Sequence, residues 1–243
     1  MKRIQRLPLT SPSLAFLLKR TQKVIGASDA RAEAKRLWEM RDSQAFREIR
    51  EVLGQMATGI ERCMYCEDSE GTAIEHFWPR AVYPDRAFDW LNYLIACSRC
   101  NSNFKRDQFP LDGGGQPLLV NPTEEDPLDH LAFSPATGRY AARPRSAKGD
   151  PSLEVFGINR ATLSRGRLNA WTGLSQLLIG YARARRTGND EKAERIEKTV
   201  REYPFAGVLA ALLRIAVGPD ADLLVDAECL EAIRDCPEIG GWG

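Results

Sequence analysis

The sequence predicts a mostly α-helical protein with a small, irregular, β-containing centre, α+β overall. Three observations predict it. Apolar residues recur at helical spacing toward both ends of the chain. The stretch between about 60 and 150 is broken by prolines, glycines and short apolar runs, and two Cys-x-x-Cys pairs bracket part of that stretch.

Gross composition narrows the class. A chain of 243 residues can form one large domain or two small ones, and either buries a sizeable core. Hydrophobic content of 43% and charged content of 28% are those of a soluble globular protein. The 34 basic and 33 acidic side chains nearly cancel to a net charge of +1, so a nucleic-acid partner would require locally concentrated positive charge. The start "MKRIQRLPLTSPSLAFLL" is basic, but its apolar run is short and is followed at once by "KRTQK" without a small-residue cleavage site, so no signal peptide is read. No stretch approaches the roughly 20 apolar residues that span a bilayer. A cytoplasmic protein is expected.

The elements follow in order. Ser11-Pro12 opens a helix over 11–24, with proline in the first turn. Ala34, Leu37, Trp38, Phe46, Ile49, Val52, Leu53 and Met56 keep helical spacing, which predicts one long or broken helix over about 29–57. The segment 60–110 supports no long helix except around 98–106. After the turn-rich "DGGGQ" comes "HLAFSPATGRYAARP", a β-hairpin turning at Ala136-Thr137-Gly138. Helical patterning then returns over 160–187, 190–202, 204–217 and 221–235. Four segments result: an N-terminal helical region (1–58), a zinc-braced module (59–112), a loop with a hairpin (113–150) and a C-terminal helical region (151–243).

The chemistry concentrates in the second segment. Cys63/Cys66 in "CMYC" and Cys97/Cys100 in "CSRC" have the spacing of two zinc knuckles, and four such thiolates close a tetrahedral site. The 30 residues between the pairs exceed the roughly 15–20 of a plain zinc ribbon, so something is inserted. The insert holds Glu75-His76, one of the two histidines in the chain. An imidazole beside a carboxylate can divide the work of phosphodiester hydrolysis: Glu75 holds a divalent cation and His76 takes a proton from the attacking water. Magnesium keeps several waters, so one carboxylate and one amide oxygen suffice as protein ligands. Asn101, directly after Cys100, is the second oxygen, and Asn92 can pin the loop that carries His76. Cys229 and Cys236 read as buried free thiols and His130 as structural.

The string "CMYC…IEHFWPR…WLNYLIACSRCNSNFK" resembles the HNH endonuclease motif, the ββα-metal fold. The resemblance implies His76 as the base, Glu75 as a metal ligand, Asn92 as the bracing asparagine, Asn101 as the last ligand and the four cysteines as a structural zinc site. Two departures stand out. Glu75 takes the place of the commoner Asp, and Asn101 replaces a final His, which favours Mg2+ or Mn2+ over zinc or nickel as the catalytic cation. Together with "LVNPTEEDPLDHLAF" and "GINRATLSRGRL", the motif resembles the PtuB-like HNH nucleases, effectors of Septu and related retron-type anti-phage systems, over about residues 1–215. That resemblance implies a PtuA-like ATPase partner.

Arg99, Lys105 and Arg106 lie beside the motif and are expected to contact nucleic-acid phosphates, with DNA favoured over RNA. Arg139, Arg143, Arg145 and Lys148 form a second basic excess that could extend that track or remain a solvated face. The competing reading is a non-catalytic zinc-knuckle module that binds nucleic acid or a protein partner.

Overall fold

The capping residues set the boundaries of the N-terminal helices. The structure, a computed structural model, describes residues 1–243. Helix α1 (Ser11–Ile25) begins with Pro12 in its first turn, and Thr10 ahead of it is tied to Glu48 by two 2.8 Å hydrogen bonds. The expected 29–57 segment is broken rather than continuous. Asp29 caps α2 (Ala30–Glu39) by accepting from Ala32 N at 2.9 Å, and Ser43 caps α3 (Gln44–Met56) by accepting from Phe46 N at 3.4 Å. A Ser or Asp side chain competes for backbone donors in a helix interior and satisfies them at a start, so "RDS" ends one helix and opens the next. The stripe Phe46, Ile49, Leu53 and Met56 on α3 is buried. Trp38 packs edge-on against Phe46 at 5.4 Å, which draws α2 and α3 together.

The chain then forms the first knuckle and a two-stranded antiparallel sheet, β1 (Ala73–His76) with β2 (Tyr93–Ala96). The register pairs Glu75 with Leu94 and His76 with Tyr93. Strand β2 is buried throughout, which fits its unbroken apolar "YLIA". Met64 N donates to Ile95 O at 3.0 Å, and this bond seats the first knuckle beside the strand that leads into the second. Arg6 braces the same strand from the N-terminal segment, donating to Tyr93 O at 2.7 Å and Leu91 O at 3.0 Å. The helical turn expected around 98–106 is a π-helix over Arg99–Lys105, closed by an Arg106 N to Asn101 O bond of 2.8 Å.

The second hairpin, β3 (Leu131–Ser134) with β4 (Arg139–Ala142), turns where expected, with Gly138 at φ +64. Helix α4 (Gly149–Val155) lies outside the expected helices. Its opening Gly-Asp-Pro fits a first helical turn, where proline loses no hydrogen bond. The remaining helices are α5 (Ala161–Arg186), α6 (Asp190–Glu202), α7 (Ala206–Ala216), α8 (Ala221–Leu224) and α9 (Ala227–Asp235), with α5 packed against α6, α7 and α9. The expected 221–235 helix is split by extended backbone at Val225 (φ −123, ψ 136). Cys229 and Cys236 are buried free thiols.

One hydrophobic cluster of 55 buried residues runs from Met1 to Trp242 through all four segments. Buried Glu67, one residue past the first knuckle, ties the central module to α7 by accepting from Gly207 N at 3.1 Å, and its carboxylate lies 3.2 Å from the Met1 amine. No helix is long and apolar enough to cross a membrane.

Candidate metal centre and active site

The four cysteines of the two knuckles converge. All four are buried, and their sulfur atoms lie within 4.8 Å of one another, with Cys66 Sγ 3.9 Å from Cys97 Sγ. Zinc–sulfur bonds of about 2.3 Å in a tetrahedron place sulfurs roughly 3.8 Å apart, so this donor set fits a structural zinc ion. Hydrogen bonds from neighbouring thiols pull Cys66 down to about 6 and lower Cys97 as well, against the burial that raises both. A further residue completes the surroundings: the Arg160 guanidinium lies 3.6 Å and 3.8 Å from Cys100 Sγ. It also donates to Phe156 O at 3.2 Å and Gly157 O at 3.1 Å, and stacks over the Phe104 ring at 4.7 Å. Nothing in the sequence links "GINR" to "CSRC", since 60 residues separate the pair.

Strand β1 presents Glu75 and His76 beside the cysteine cluster. His76 is 7% exposed, with Nε2 3.0 Å from the Ala87 carbonyl oxygen. A carbonyl can only accept, so Nε2 carries the proton and the lone pair of the neutral ring sits on Nδ1. Tyr93 OH donates to the same carbonyl at 2.8 Å. Trp38 packs edge-on against the imidazole at 4.4 Å, which makes α2 a wall of the site. Burial lowers His76 to about 3, opposed by the Ala87 bond and assisted by Arg80 and Lys105. The ring is therefore neutral near pH 7.

Asn92 holds the loop between the strands. Its Oδ1 accepts from Trp78 N at 2.7 Å, and its Nδ2 donates to Trp78 O at 3.0 Å and Arg86 O at 2.9 Å. Three bonds from one buried amide join both ends of the 78–92 excursion and hold Ala87 opposite the imidazole.

Glu75 has a different partner from the one expected. Lys105, from the end of the π-helix, places Nζ 2.7 Å from Glu75 Oε1 and donates to His76 O at 2.8 Å. Tyr65 OH reaches the same carboxylate at 3.5 Å. Complete burial pushes the Glu75 carboxyl up, against the pull of Lys105. The expectation that Lys105 contacts phosphate is corrected here: its side chain is 0% exposed and its ammonium faces inward. Arg99 and Arg106 are exposed. A cavity of about 380 Å³ brings Glu75, His76 and Asn101 together with Trp38, Arg80 and Arg106. As arranged, the Glu75 carboxylate is already matched by the buried Lys105 ammonium.

The second basic excess is divided. Arg139 and Arg145 are exposed, whereas Arg143 donates to Leu128 O at 2.6 Å and Lys148 pairs with Glu125 at 2.7 Å. His130 sits in that cluster, between Ser146 Oγ at 2.8 Å and Glu125 Oε2 at 3.0 Å.

Among known proteins, no protein-family model matches the chain. Over 148 residues it is 32% identical to Septu protein PtuB of Bacillus mycoides (strain KBAB4), covering 49% of this chain and 49% of that protein. Over 104 residues it is 29% identical to Septu protein PtuB of Bacillus thuringiensis, covering 41% of this chain and 37% of that protein. The chain thus spans about half the length of the first of these curated relatives and less of the second. In agreement with the resemblance its motifs carry, the chain is similar to the Septu PtuB proteins over about half of its own length.

Proposed function

We propose that the chain is a metal-dependent HNH-type endonuclease that hydrolyses phosphodiester bonds, most readily in DNA, and that it serves as an effector of Septu-type anti-phage defence with a PtuA-like ATPase as partner. The observation that carries this reading is the tautomer of His76. With Nε2–H donated to Ala87, the ring offers Nδ1 as a neutral proton acceptor in a cavity that also holds Glu75, Asn101, Arg80 and Arg106. His76 Nδ1 takes the proton of the attacking water, while Arg80 and Arg106 draw the anionic backbone in. Burial makes the free imidazole a weak base. A phosphate beside it favours the protonated ring and shifts it toward the working range. Glu75 and Asn101 would supply the oxygen ligands of a Mg2+ or Mn2+ ion once Glu75 is free of Lys105. The similarity to the PtuB proteins supports the defence role and the partner.

A second reading, a zinc-knuckle module that binds nucleic acid or a partner without cutting, is favoured by one observation, the neutralisation of Glu75 by Lys105. Plasmid cleavage with Mg2+ or Mn2+ separates the two readings, comparing wild type with His76→Ala, each with and without the PtuA-like ATPase. Metal-dependent nicking lost in the variant establishes the nuclease and its base, and nicking only with the ATPase establishes a gated effector. Cleavage retained by His76→Ala overturns the assignment of the base, and silence under every condition favours the binding module.

A further inference from the structure

The buried contact between Lys105 and Glu75 has the form of a closed gate. Lys105 is fully buried, and its ammonium is held by Glu75 Oε1 at 2.7 Å and His76 O at 2.8 Å, with the Phe109 ring 5.9 Å away. Phe109 is wedged against Phe77 at 5.2 Å and Trp78 at 4.5 Å, so the ammonium is sealed from water on its outer side. A divalent cation at the same carboxylate would face that ammonium a few ångströms away in a water-poor site, where like charges repel strongly.

The element that delivers Lys105 is unusual. Arg99–Lys105 is a π-helix, a wider turn than the α-helix and one found mostly as single turns at functional sites. It leaves Arg106 at φ +49, ψ −124, a conformation L residues adopt only when held there. Its N-terminal side is anchored by Cys97 and Cys100, so change is confined to its C-terminal side. A one-residue shift toward α-helical register would turn Lys105 by about 100° about the helix axis and lift Nζ away from Glu75.

We propose that Lys105 is an internal counter-ion that closes the Glu75 site to divalent cations, and that the π-helix Arg99–Lys105 is the element that releases it. This rests on the assignment of Glu75 as a cation ligand and adds how that site is kept shut.

The test reads Mn2+ binding to the zinc-loaded protein by loss of the free-ion electron paramagnetic resonance signal, without nucleic acid. Wild type, Lys105→Met, Lys105→Met with Glu75→Gln, and a deletion of the exposed Asn103 are compared. The expected result is weak binding by wild type and a gain of about tenfold or more for Lys105→Met, abolished by Glu75→Gln. The deletion, which removes the extra residue of the wide turn, gains likewise. It decides the matter if Lys105→Met does not fold. Wild-type binding as tight as that of Lys105→Met, or no gain in any folded variant, overturns the proposal. The two readings fail separately: a variant that gains Mn2+ but never cuts keeps the gate and loses the nuclease, and a nuclease whose Mn2+ affinity ignores Lys105 does the reverse.

Discussion

His76 Nε2 lies 3.0 Å from the carbonyl oxygen of Ala87, and that one contact decides which imidazole nitrogen is free. Ala87 is presented by the loop whose two ends Asn92 ties together, so the imidazole on β1 is oriented by the asparagine just ahead of β2.

Stability should fall in acid through His76. The unfolded ring titrates near 6.5, whereas the folded ring is lowered to about 3. Between those values the unfolded chain binds a proton that the folded protein does not, so folding free energy declines as pH drops below 6.5, by about 1.4 kcal/mol per pH unit. Glu75 acts in the opposite sense: its raised carboxyl favours the protonated folded form and loses stability as pH rises. Urea denaturation at pH 7, 6 and 5, taken as the difference between wild type and His76→Gln, isolates the histidine part. A difference that does not change with pH would refute the assigned burial of the ring.

Asn92→Ala should leave Trp78 N, Trp78 O and Arg86 O without their partner. Unpaired groups of this kind cost about 1–3 kcal/mol each when buried and less where water reaches them, so a loss of ~2–4 kcal/mol is expected. In a chain of this size that corresponds to a drop in Tm of roughly 5–15 °C by calorimetry. Zinc content should be unchanged, because none of the three bonds touches a cysteine.

Cys97→Ser should lose zinc and unfold the central module, since metal binding at such a site is folding free energy. Arg160→Ala is the finer probe. It keeps all four ligands and removes the donors to Cys100 Sγ, so zinc affinity measured against a chelator should fall by about 10–100-fold. Unchanged zinc stoichiometry and melting in Cys97→Ser would show that the cysteines are not ligands.

Gly157→Ala should be poorly tolerated. Gly157 has φ +56, and a β-carbon there would overlap the Phe104 ring that stacks with Arg160. Left-handed strain and the forced shift of Phe104 together should lower stability by ~2–4 kcal/mol. The same shift should weaken zinc retention, readable in one chelator titration.

Much of the fold was legible because it is local. Asn189 accepting from Lys192 N opens α6 at Asp190, the expected boundary, and the hairpin turned at its glycine. Where expectation and structure part, a residue has two uses. Ser43 can lie within a helix or start one, and it starts α3. Within the site, the sequence brought His76, Glu75, Asn92, Asn101 and the four cysteines to notice through residue type and spacing. Lys105 looked like Arg99 and Arg106, three cations beside one motif, and only one of them is buried.

By itself, then, the sequence determined the helical ends, the paired knuckles and the residues able to do chemistry between them, because periodicity, caps and ligand spacing act over a few neighbours. Only the tertiary structure decided that Lys105 faces Glu75 across 30 positions, that Arg160 donates to Cys100 across 60, and that Trp38 walls the His76 ring. Those contacts depend on how α2, the first sheet, the π-helix and the start of α5 pack together. A buried charge must find its partner wherever that packing puts one.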